Sequence, residues 1–274
     1  MKKKLKIGSF LIYIPLLILV IIYIFPIFAL LNTSFKTTAE IKYGPMKLPI
    51  KPTLVAYSAA IKRLLTPLLN SAKMSLLATA ISSFIGSITG YIFSKFKFKG
   101  SNLLFLLIII GFYIAPQSIL IPLVLFMGKI GLYNSTASLV LTHTAYGVPI
   151  TTMLFKNYYD SVPDELIDSA VVDGCDIPRI YQSIFLPLSL PGFAVVGIFQ
   201  FTNIWNEFLF GLTLTQGIHS QPITVAVSNL KGTTVAAWNQ ICAGAVISTL
   251  PVVIIYIVLM DLIVKGLLMG SVKG

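Results

Sequence analysis

The 274 residues are 56% hydrophobic and only 11% charged, with a mean hydropathy of +0.90. Soluble domains carry about 25% charged residues, so this composition excludes an ordinary soluble enzyme and predicts a membrane protein. Since a spanning helix needs about 20 apolar residues, the length admits roughly six or seven spans. The net charge of +11 comes mostly from lysines scattered over loops, which indicates membrane orientation and anionic lipid headgroups rather than nucleic acid.

Six long apolar segments predict six transmembrane helices in an all-α fold, within one domain that covers residues 1–274. The predicted spans are residues 9–31, 67–94, 103–127, 137–154, 190–214 and 238–264. The first follows the sequence MKKKLK and is too long for a signal peptide, so we expect it to be retained. Residues 32–66, which are rich in proline and lysine, predict an extramembrane loop with room for a short surface helix.

Two features of these segments add to the prediction. Gly111, Pro116 and Pro122 in the third span, and Pro149 in the fourth, permit kinks. The lysines at the N-terminus and in the short loop at residues 95–99 favour the cytoplasmic side. We therefore expect a multi-pass protein of the cell membrane whose N- and C-termini are both cytoplasmic.

An acidic loop separates the fourth and fifth spans. Six of the nine acids fall within residues 160–176. The segment 160–190 predicts a helix, a turn and a second helix on the cytoplasmic side. Ser161 and Asp164 form an S-x-x-D capping pattern at the start of the first helix. Gly174 is suited to a left-handed residue that ends this helix, and Asp176 is suited to begin the next.

The first of these two helices has an apolar face formed by Leu166, Ile167, Ala170 and Val171, which are three or four residues apart. A short helix with such a face outside the lipid predicts docking into a groove on another protein. The alternative is a solvated loop whose acids only keep it soluble.

The order of residues in this loop resembles the cytoplasmic coupling motif of ABC importer permeases. That motif is E-A-A, then G after three more residues, then I-x-L-P after a further nine. The matching residues are Asp168-Ser169-Ala170, Gly174, Ile184 and Leu186-Pro187. Asp168 for Glu, Ser169 for Ala and Cys175 for the Ala after Gly are departures that keep charge or small size.

The resemblance covers nearly the whole chain and is to the permease subunits of maltose-type carbohydrate importers. Further matching stretches are Ser34-Phe35-Lys36-Thr37 with Glu40-Ile41, Pro116 with Ile121-Pro122-Leu123, Gly131-Leu132 with Asn134-Ser135, Trp205-Asn206-Glu207-Phe208, and residues 266–274. It implies a type I ABC importer permease fold. It also implies a transport subunit that forms half of a sugar pathway and is not itself an enzyme.

The same resemblance implies partners and site residues. The expected partners are a second homologous permease chain, two copies of a cytoplasmic ABC ATPase, an extracytoplasmic sugar-binding protein and membrane lipid. ATP and Mg would bind the ATPase, so this chain is expected to hold no cofactor and no metal. The expected ATPase-coupling residues are Asp164, Glu165, Asp168, Ser169, Ala170, Asp173, Gly174 and Cys175, with the tail Val272, Lys273 and Gly274 reaching between the ATPases.

Glu207 lies inside the fifth predicted span, away from Asp261 at the inner end of the last one, and an unpaired carboxylate within a span costs several kcal/mol. We expect a structural or gate-forming anchor, with Asn203 four residues earlier as a hydrogen-bond partner. The alternative is a proton-coupled secondary transporter that uses Glu207. Asn203, Trp205, Asn206 and Glu207 are candidate sugar-path residues, although a tryptophan near a span is more often a packing residue or an interfacial anchor.

Overall fold

The computed structural model describes the backbone of residues 7–230 and 237–271, and the side chains of residues 13–230 and 237–260. Within these ranges every regular element is helical, as the all-α prediction requires. The helices are α1 (Ile7–Ser34), α2 (Val55–Lys95), α3 (Ser101–Ile110), α4 (Pro116–Lys129), α5 (Thr136–Asp160), α6 (Glu165–Val172), α7 (Ile177–Ile180), α8 (Leu186–Leu188), α9 (Leu190–Asn206), α10 (Leu209–Leu214), α11 (Ile223–Asn229) and α12 (Trp238–Ser271). A 3₁₀ turn at Thr38–Tyr43 is the short helix of the first loop.

Three described segments are long and apolar enough to cross a membrane: Tyr13–Ser34, Val55–Lys95 and Trp238–Met260. The number rises to five if each of two bent helix pairs counts as one span. By this measure the described residues do not reproduce the predicted count of six. The fourth predicted span lies within the continuous helix α5, whose hydroxyl side chains and His143 make it less apolar than the others.

The third predicted span is broken rather than straight. A 3₁₀ turn at Gly111–Tyr113 follows α3, and α4 then leaves at an angle of 93°. Ala115 is extended, with φ −62° and ψ 126°, because the ring of Pro116 disfavours helical geometry at the residue before it. The kink expected from Gly111 and Pro116 is confirmed.

The fifth predicted span, residues 190–214, is also interrupted, because α9 ends at Asn206 and Glu207 is extended before α10 begins. At its other end, α9 meets the Ile177–Leu188 segment at 73°. That segment contains a π-helical turn at Tyr181–Phe185, just before Pro187. Pro187 therefore redirects the chain at this point, since a proline nitrogen cannot donate a hydrogen bond to the preceding turn.

The contacts of the chain fall into two compact units. The N-terminal unit consists of residues 1–65 and 227–249, and the central unit consists of residues 66–226 and 250–274. The single domain over residues 1–274 stays a prediction.

In the N-terminal unit, polar side chains fold the loop that follows α1. Glu40 accepts hydrogen bonds from the backbone N–H groups of Thr37, Ile50 and Lys51 at 3.1–3.3 Å. These bonds, that of Thr37 foremost, hold the pKa of Glu40 below its ordinary value. Asn32 donates to the carbonyls of Pro45 (2.6 Å) and residue 47 (2.8 Å). The hydrogen bonds of Asn32 and Glu40 thus fix the backbone of this loop.

In the central unit, α2 and α5 approach so closely that only glycine fits at two positions. A Cβ at Gly90 would lie 2.7 Å from the backbone nitrogen of Lys156, and one at Gly86 would overlap Thr151. Small residues four apart allow helix backbones to meet in this way. Hydroxyl groups then bond across the contact: Thr151 Oγ1 donates to the carbonyl of Ser82 at 2.8 Å.

We expect Gly90→Ala to lower the free energy of unfolding by about 1–3 kcal/mol, because the added methyl group overpacks the α2–α5 contact. The measurement is thermal unfolding of the purified protein in detergent. Gly197→Ala in α9 is the matched control, since a Cβ there meets nothing within 4 Å; its higher helix propensity should leave stability unchanged or raised by up to about 1 kcal/mol. Equal stability of the two variants would contradict the close approach.

Candidate functional site

The loop at residues 160–190 centres on α6, a two-turn helix about 12 Å long. Its C-terminal end is closed by a pair of hydrogen bonds. The N–H of Cys175 donates to the carbonyl of Ala170 at 2.9 Å, and the N–H of Gly174 donates to Val171 at 3.0 Å. Gly174 has φ +80°, so the left-handed residue predicted at this position is confirmed.

This closure gives a physical explanation for the residues at 170, 174 and 175, in the segment that resembles the coupling motif. The bond pattern is a Schellman motif, in which the residue after the glycine contacts the residue three places before the helix end. Here these two residues are Cys175 and Ala170, and both lie in one hydrophobic cluster. A small residue, a glycine and a second small residue therefore suit positions 170, 174 and 175 of this chain.

The start of α6 differs from the prediction. Ser161 belongs to the end of α5, where its hydroxyl donates to the carbonyl of Tyr158 at 2.7 Å. Asp164 is the residue before α6, but its carboxylate makes no capping bond to that helix. The predicted S-x-x-D cap is therefore wrong, because a side chain from another helix binds Asp164 instead.

That side chain is Lys95, the last residue of α2. Its ammonium donates to Asp164 Oδ1 and to the carbonyl of Val162, both at 2.6 Å. The Lys95 side chain is only 3% exposed, whereas that of Asp164 is 80% exposed. The hydrogen bond and the charge of Lys95 lower the pKa of Asp164 below its ordinary value. Lys95 thus fixes the start of α6 to the end of α2.

A second set of polar contacts joins the end of α2 to the end of α5. Ser94 donates to Asp160 Oδ1 at 2.7 Å, and Lys156 donates to Asp160 Oδ2 at 2.8 Å. Consecutive residues at the end of α2 therefore hold the end of α5 and the start of α6.

An aromatic cluster lies under α6. Tyr91 packs against Phe185 with a ring-centroid distance of 4.7 Å. The hydroxyl of Ser87 shares hydrogen bonds with the hydroxyls of Tyr159 (2.6 Å) and Tyr181 (3.0 Å). Buried rings with satisfied hydroxyl groups make a rigid base, and this base connects α2, α5 and the π-helical turn.

The predicted apolar face of α6 is divided between two directions. Ile167 and Ala170 pack into the cluster of the same chain, and Ala170 is only 5% exposed. Leu166 and Val171 are exposed, as are the acids that we predicted for coupling. Those exposed acids are Asp164, Glu165, Asp168 and Asp173.

Ala170 and the half-buried Cys175 therefore shape α6 from inside the chain, whereas the acids and Ser169 are on its accessible side. The helix that follows begins as predicted: Asp176 Oδ1 accepts from the N–H of Arg179 at 3.0 Å. Ile184 and Leu186 of the I-x-L-P stretch pack against the aromatic cluster.

Glu207 acts as a cap for α10. Its carboxylate accepts from the N–H groups of Phe210 (2.9 Å) and Gly211 (3.4 Å). Its backbone carbonyl accepts from Thr224 Oγ1 at 2.9 Å. His143 Nε2 lies 3.7 Å from Glu207 Oε2, beyond hydrogen-bond range. The structure thus gives Glu207 the anchoring contacts we expected, although they come from backbone groups rather than from Asn203.

The other candidate sugar-path residues separate into two kinds. Trp205 is 2% exposed and stacks on Phe201 at 5.4 Å, so its ring is a packing element in this chain. Asn203 and Asn206 are exposed. The tail residues Val272, Lys273 and Gly274 lie outside the described residues. Among the side chains that are described, no three potential metal ligands come together.

Sequence reasoning missed two elements of this site. Lys95 was interpreted only as an indicator of the cytoplasmic side, and the buried position of its side chain has no signal in the sequence alone. Gly86 and Gly90 form the pattern G-S-I-T-G, a small-x-x-x-small spacing that would have indicated a helix contact.

Comparisons with known proteins agree with this architecture. The family described as "Binding-protein-dependent transport system inner membrane component" matches residues 82–268. A probable ABC transporter permease protein from Pyrococcus horikoshii is 45% identical over 97% of each chain. The xylose/arabinose import permease protein XacI of Haloferax volcanii is 31% identical, over 89% of this chain and 87% of that protein.

The fold also matches a solved structure. A chain of a bacterial ABC transporter involved in the import of the acidic polysaccharide alginate superimposes with a TM-score of 0.80 at 19% identity, over 95% of this chain and 98% of that one. The chain belongs to the family of binding-protein-dependent transport system inner membrane components. It is accordingly a membrane-embedded transport component with the ABC importer permease fold.

We expect Lys95→Met to loosen α6, because the part-buried carbonyl of Val162 and the carboxylate of Asp164 would both lose their donor, at a cost of about 1–3 kcal/mol. The measurement is hydrogen exchange of the backbone amides at residues 165–172, which should be faster in the variant. Lys99→Met removes an exposed lysine nearby and is the matched control. Unchanged exchange in Lys95→Met would show that α6 does not depend on this contact.

The lowered pKa of Asp164 predicts a pH dependence. Because the carboxylate is more acidic in the folded protein, its contribution is present above the ordinary pKa of 3.8 and is lost as the pH falls through the lowered value. Protection factors at residues 165–172 should therefore be constant near neutral pH and fall only in strong acid. Asp164→Asn should lower them at neutral pH and remove that acid-dependent step.

Proposed function

We propose that this chain is the permease subunit of an ATP-driven ABC importer for a sugar, and that it forms half of the translocation pathway. The observation that carries the proposal is α6, an exposed acidic helix whose start is bound by the end of α2 and whose inner side packs on the aromatic cluster. The family match supports a transport role. ATP hydrolysis is assigned to partner subunits, so ATP and Mg bind there and this chain holds no cofactor.

Relatives support a sugar as the substrate. Besides the xylose/arabinose permease, the arabinooligosaccharides transport system permease protein AraQ of Halalkalibacterium halodurans is 30% identical over the full length of both chains. Both names refer to carbohydrate import. On that basis we propose that this chain transports a mono- or oligosaccharide.

The proposed mechanism uses the contacts of α6. When the ATPase pair closes on ATP, it moves the acidic face of α6. The Schellman closure at Gly174 and the Lys95 contact at Asp164 prevent the helix from unwinding, so the movement passes to α2 and α5. Rigid-body tilting of these helices would open the pathway to one side and then to the other.

The proposed assembly contains this chain, a second homologous permease, two ATPase copies and an extracytoplasmic sugar-binding protein. A second similar structure is that of the alginate transporter in complex with an alginate pentasaccharide-bound periplasmic protein, with a TM-score of 0.67 at 15% identity, over 92% of this chain and 93% of that one. By analogy, the binding protein would meet the loops at residues 32–66 and 213–237, and both termini would be cytoplasmic.

In this proposal Glu207 has a structural role. Two backbone N–H groups donate to its carboxylate. These bonds stabilise the ionised form, which a proton relay would have to protonate. The proton-coupled secondary transporter is therefore the outcome that the experiments below would reveal if the proposal fails.

Gly174→Val tests the coupling role. A β-branched residue at φ +80° is strained by about 1–2 kcal/mol or more, so the end of α6 should open and ATP-driven sugar uptake should fall several-fold while the assembly still forms. Gly100→Val is the matched control, because Gly100 has φ +91° and equally open surroundings outside α6. Uptake that falls equally in both variants would assign the effect to general strain.

Copurification tests the assembly itself. A tagged chain extracted in mild detergent should bring down an ATPase and a second permease, identified by mass spectrometry. Replacing Glu165, Asp168 and Asp173 with the corresponding amides should weaken recovery of the ATPase but not of the permease. A chain that purifies alone and moves sugar with a proton gradient would instead support the secondary transporter.

A further inference from the structure

A cavity of about 490 Å³ lies within the N-terminal unit. Its walls come from the C-terminal end of α1, the 3₁₀ turn of the first loop and the first turn of α12. Its lining includes Leu30, Lys36, Gly44, Trp238 and Cys242. The volume is in the range of about 300–1,000 Å³ that is usual for small-ligand sites, and most of the lining residues are apolar.

Lys36 is the charged residue in this lining. It is only 1% exposed, and its ammonium donates to the carbonyl of Gly44 at 2.7 Å. The backbone of Lys36 is itself held in place, since Asn239 Nδ2 donates to its carbonyl at 3.0 Å. A buried ammonium is costly unless an anion neutralises it.

No described carboxylate of the N-terminal unit forms an ion pair with Lys36. Of the nine acids in the sequence, Glu40 alone falls within residues 1–65 and 227–249. The carboxylate of Glu40 is already bound to three backbone N–H groups. Among the described side chains, no acid lies within ion-pair distance of Lys36.

Further cations surround the same turn. The ammonium groups of Lys42 and Lys47 each lie 5.2 Å from the centroid of the Tyr43 ring, directly before Gly44. The cavity is thus mostly apolar, with the cationic Lys36 in its lining, and two more lysines lie beside Tyr43, the residue before its lining residue Gly44. An occupant that matches both properties has an anionic head and an apolar chain.

The surroundings of the cavity are those of a lipid site. The most apolar part of Tyr13–Ser34 has no buried residue, so this part of the helix is open to lipid or to another protein. Trp238 at the rim is 51% exposed, in the way that tryptophans lie at the headgroup level of a bilayer. A lysine ammonium beside an apolar cavity offers one group for an anionic headgroup and another for an acyl chain.

We propose that this cavity binds an anionic phospholipid, with its phosphate beside the Lys36 ammonium and an acyl chain against Leu30 and Cys242. A side chain from a partner permease could fill the apolar part, but it would leave the charge of Lys36 without an anion. The lipid site is independent of transport and does not rest on the proposed function.

The test uses the intact complex in lipid nanodiscs of phosphatidylcholine, with or without phosphatidylglycerol. Native mass spectrometry after release from the nanodisc counts the lipids that stay bound. We expect phosphatidylglycerol to be retained over phosphatidylcholine. Lys36→Met should weaken its retention about fivefold or more, from the loss of one lysine–lipid interaction. Lys62→Met removes an exposed lysine of the same unit and should have no such effect.

A second variant covers the case in which Lys36→Met does not fold. Cys242→Phe keeps the charge but fills the cavity, so it should also release phosphatidylglycerol. Alkylation of the Cys242 thiol by N-ethylmaleimide should be slower when phosphatidylglycerol is present. Equal retention of the two lipids, equal effects of Lys36→Met and Lys62→Met, or protection of Cys242 that requires only the partner permease would each overturn the proposal.

Discussion

The close approach of α2 and α5 determines the geometry of the candidate site. Gly86 and Gly90 remove the side chains that would hold these helices apart, and hydroxyl groups such as Thr151 then bond directly to the neighbouring backbone. Because both helices continue to the same end of the central unit, Lys95 and Asp160 arrive side by side. Any wider spacing between α2 and α5 would move the ammonium of Lys95 away from α6.

From this contact the rigidity of α6 follows. An eight-residue helix is too short to be stable in isolation, since nucleation is unfavourable and few hydrogen bonds follow it. Here the Schellman closure satisfies one end and Lys95 holds the residue before the other, while Ala170 and Ile167 bury the inner side. The stability that the sequence of α6 lacks is supplied by tertiary contacts, and these contacts leave its acids accessible to a partner.

The features predicted correctly from the sequence are those with a local cause. Gly174 and Asp176 were identified because a left-handed residue and a capping carboxylate depend only on their immediate neighbours, and the kink before Pro116 has the same character. The features that were missed depend on residues distant in sequence. Asp164 was assigned to a local cap because its partner Lys95 is 69 residues away.

The apolar face of α6 was misjudged for a related reason. Helical spacing identified which residues share a face, but it could not show that Ile167 and Ala170 already contact a core of the same chain. Glu207 is the intermediate case: its importance was evident because an acid within a span is costly. Its actual role required knowing that the helix breaks there and offers free backbone N–H groups.

The two buried lysines differ in what their ammonium groups bind. One is paired with a carboxylate of the same chain, and the other is bound to a backbone carbonyl. The side chain of Lys95 is 3% exposed, and Lys36 as a whole residue is 1% exposed. Lys95 has a carboxylate from its own chain, so its charge is balanced within the fold and its effect is to hold two elements together. Lys36 has a backbone carbonyl, which satisfies one of its three N–H donors but carries no net charge. No described acid lies within ion-pair distance of Lys36, so its ammonium is open to an anion in the adjoining cavity, as we propose.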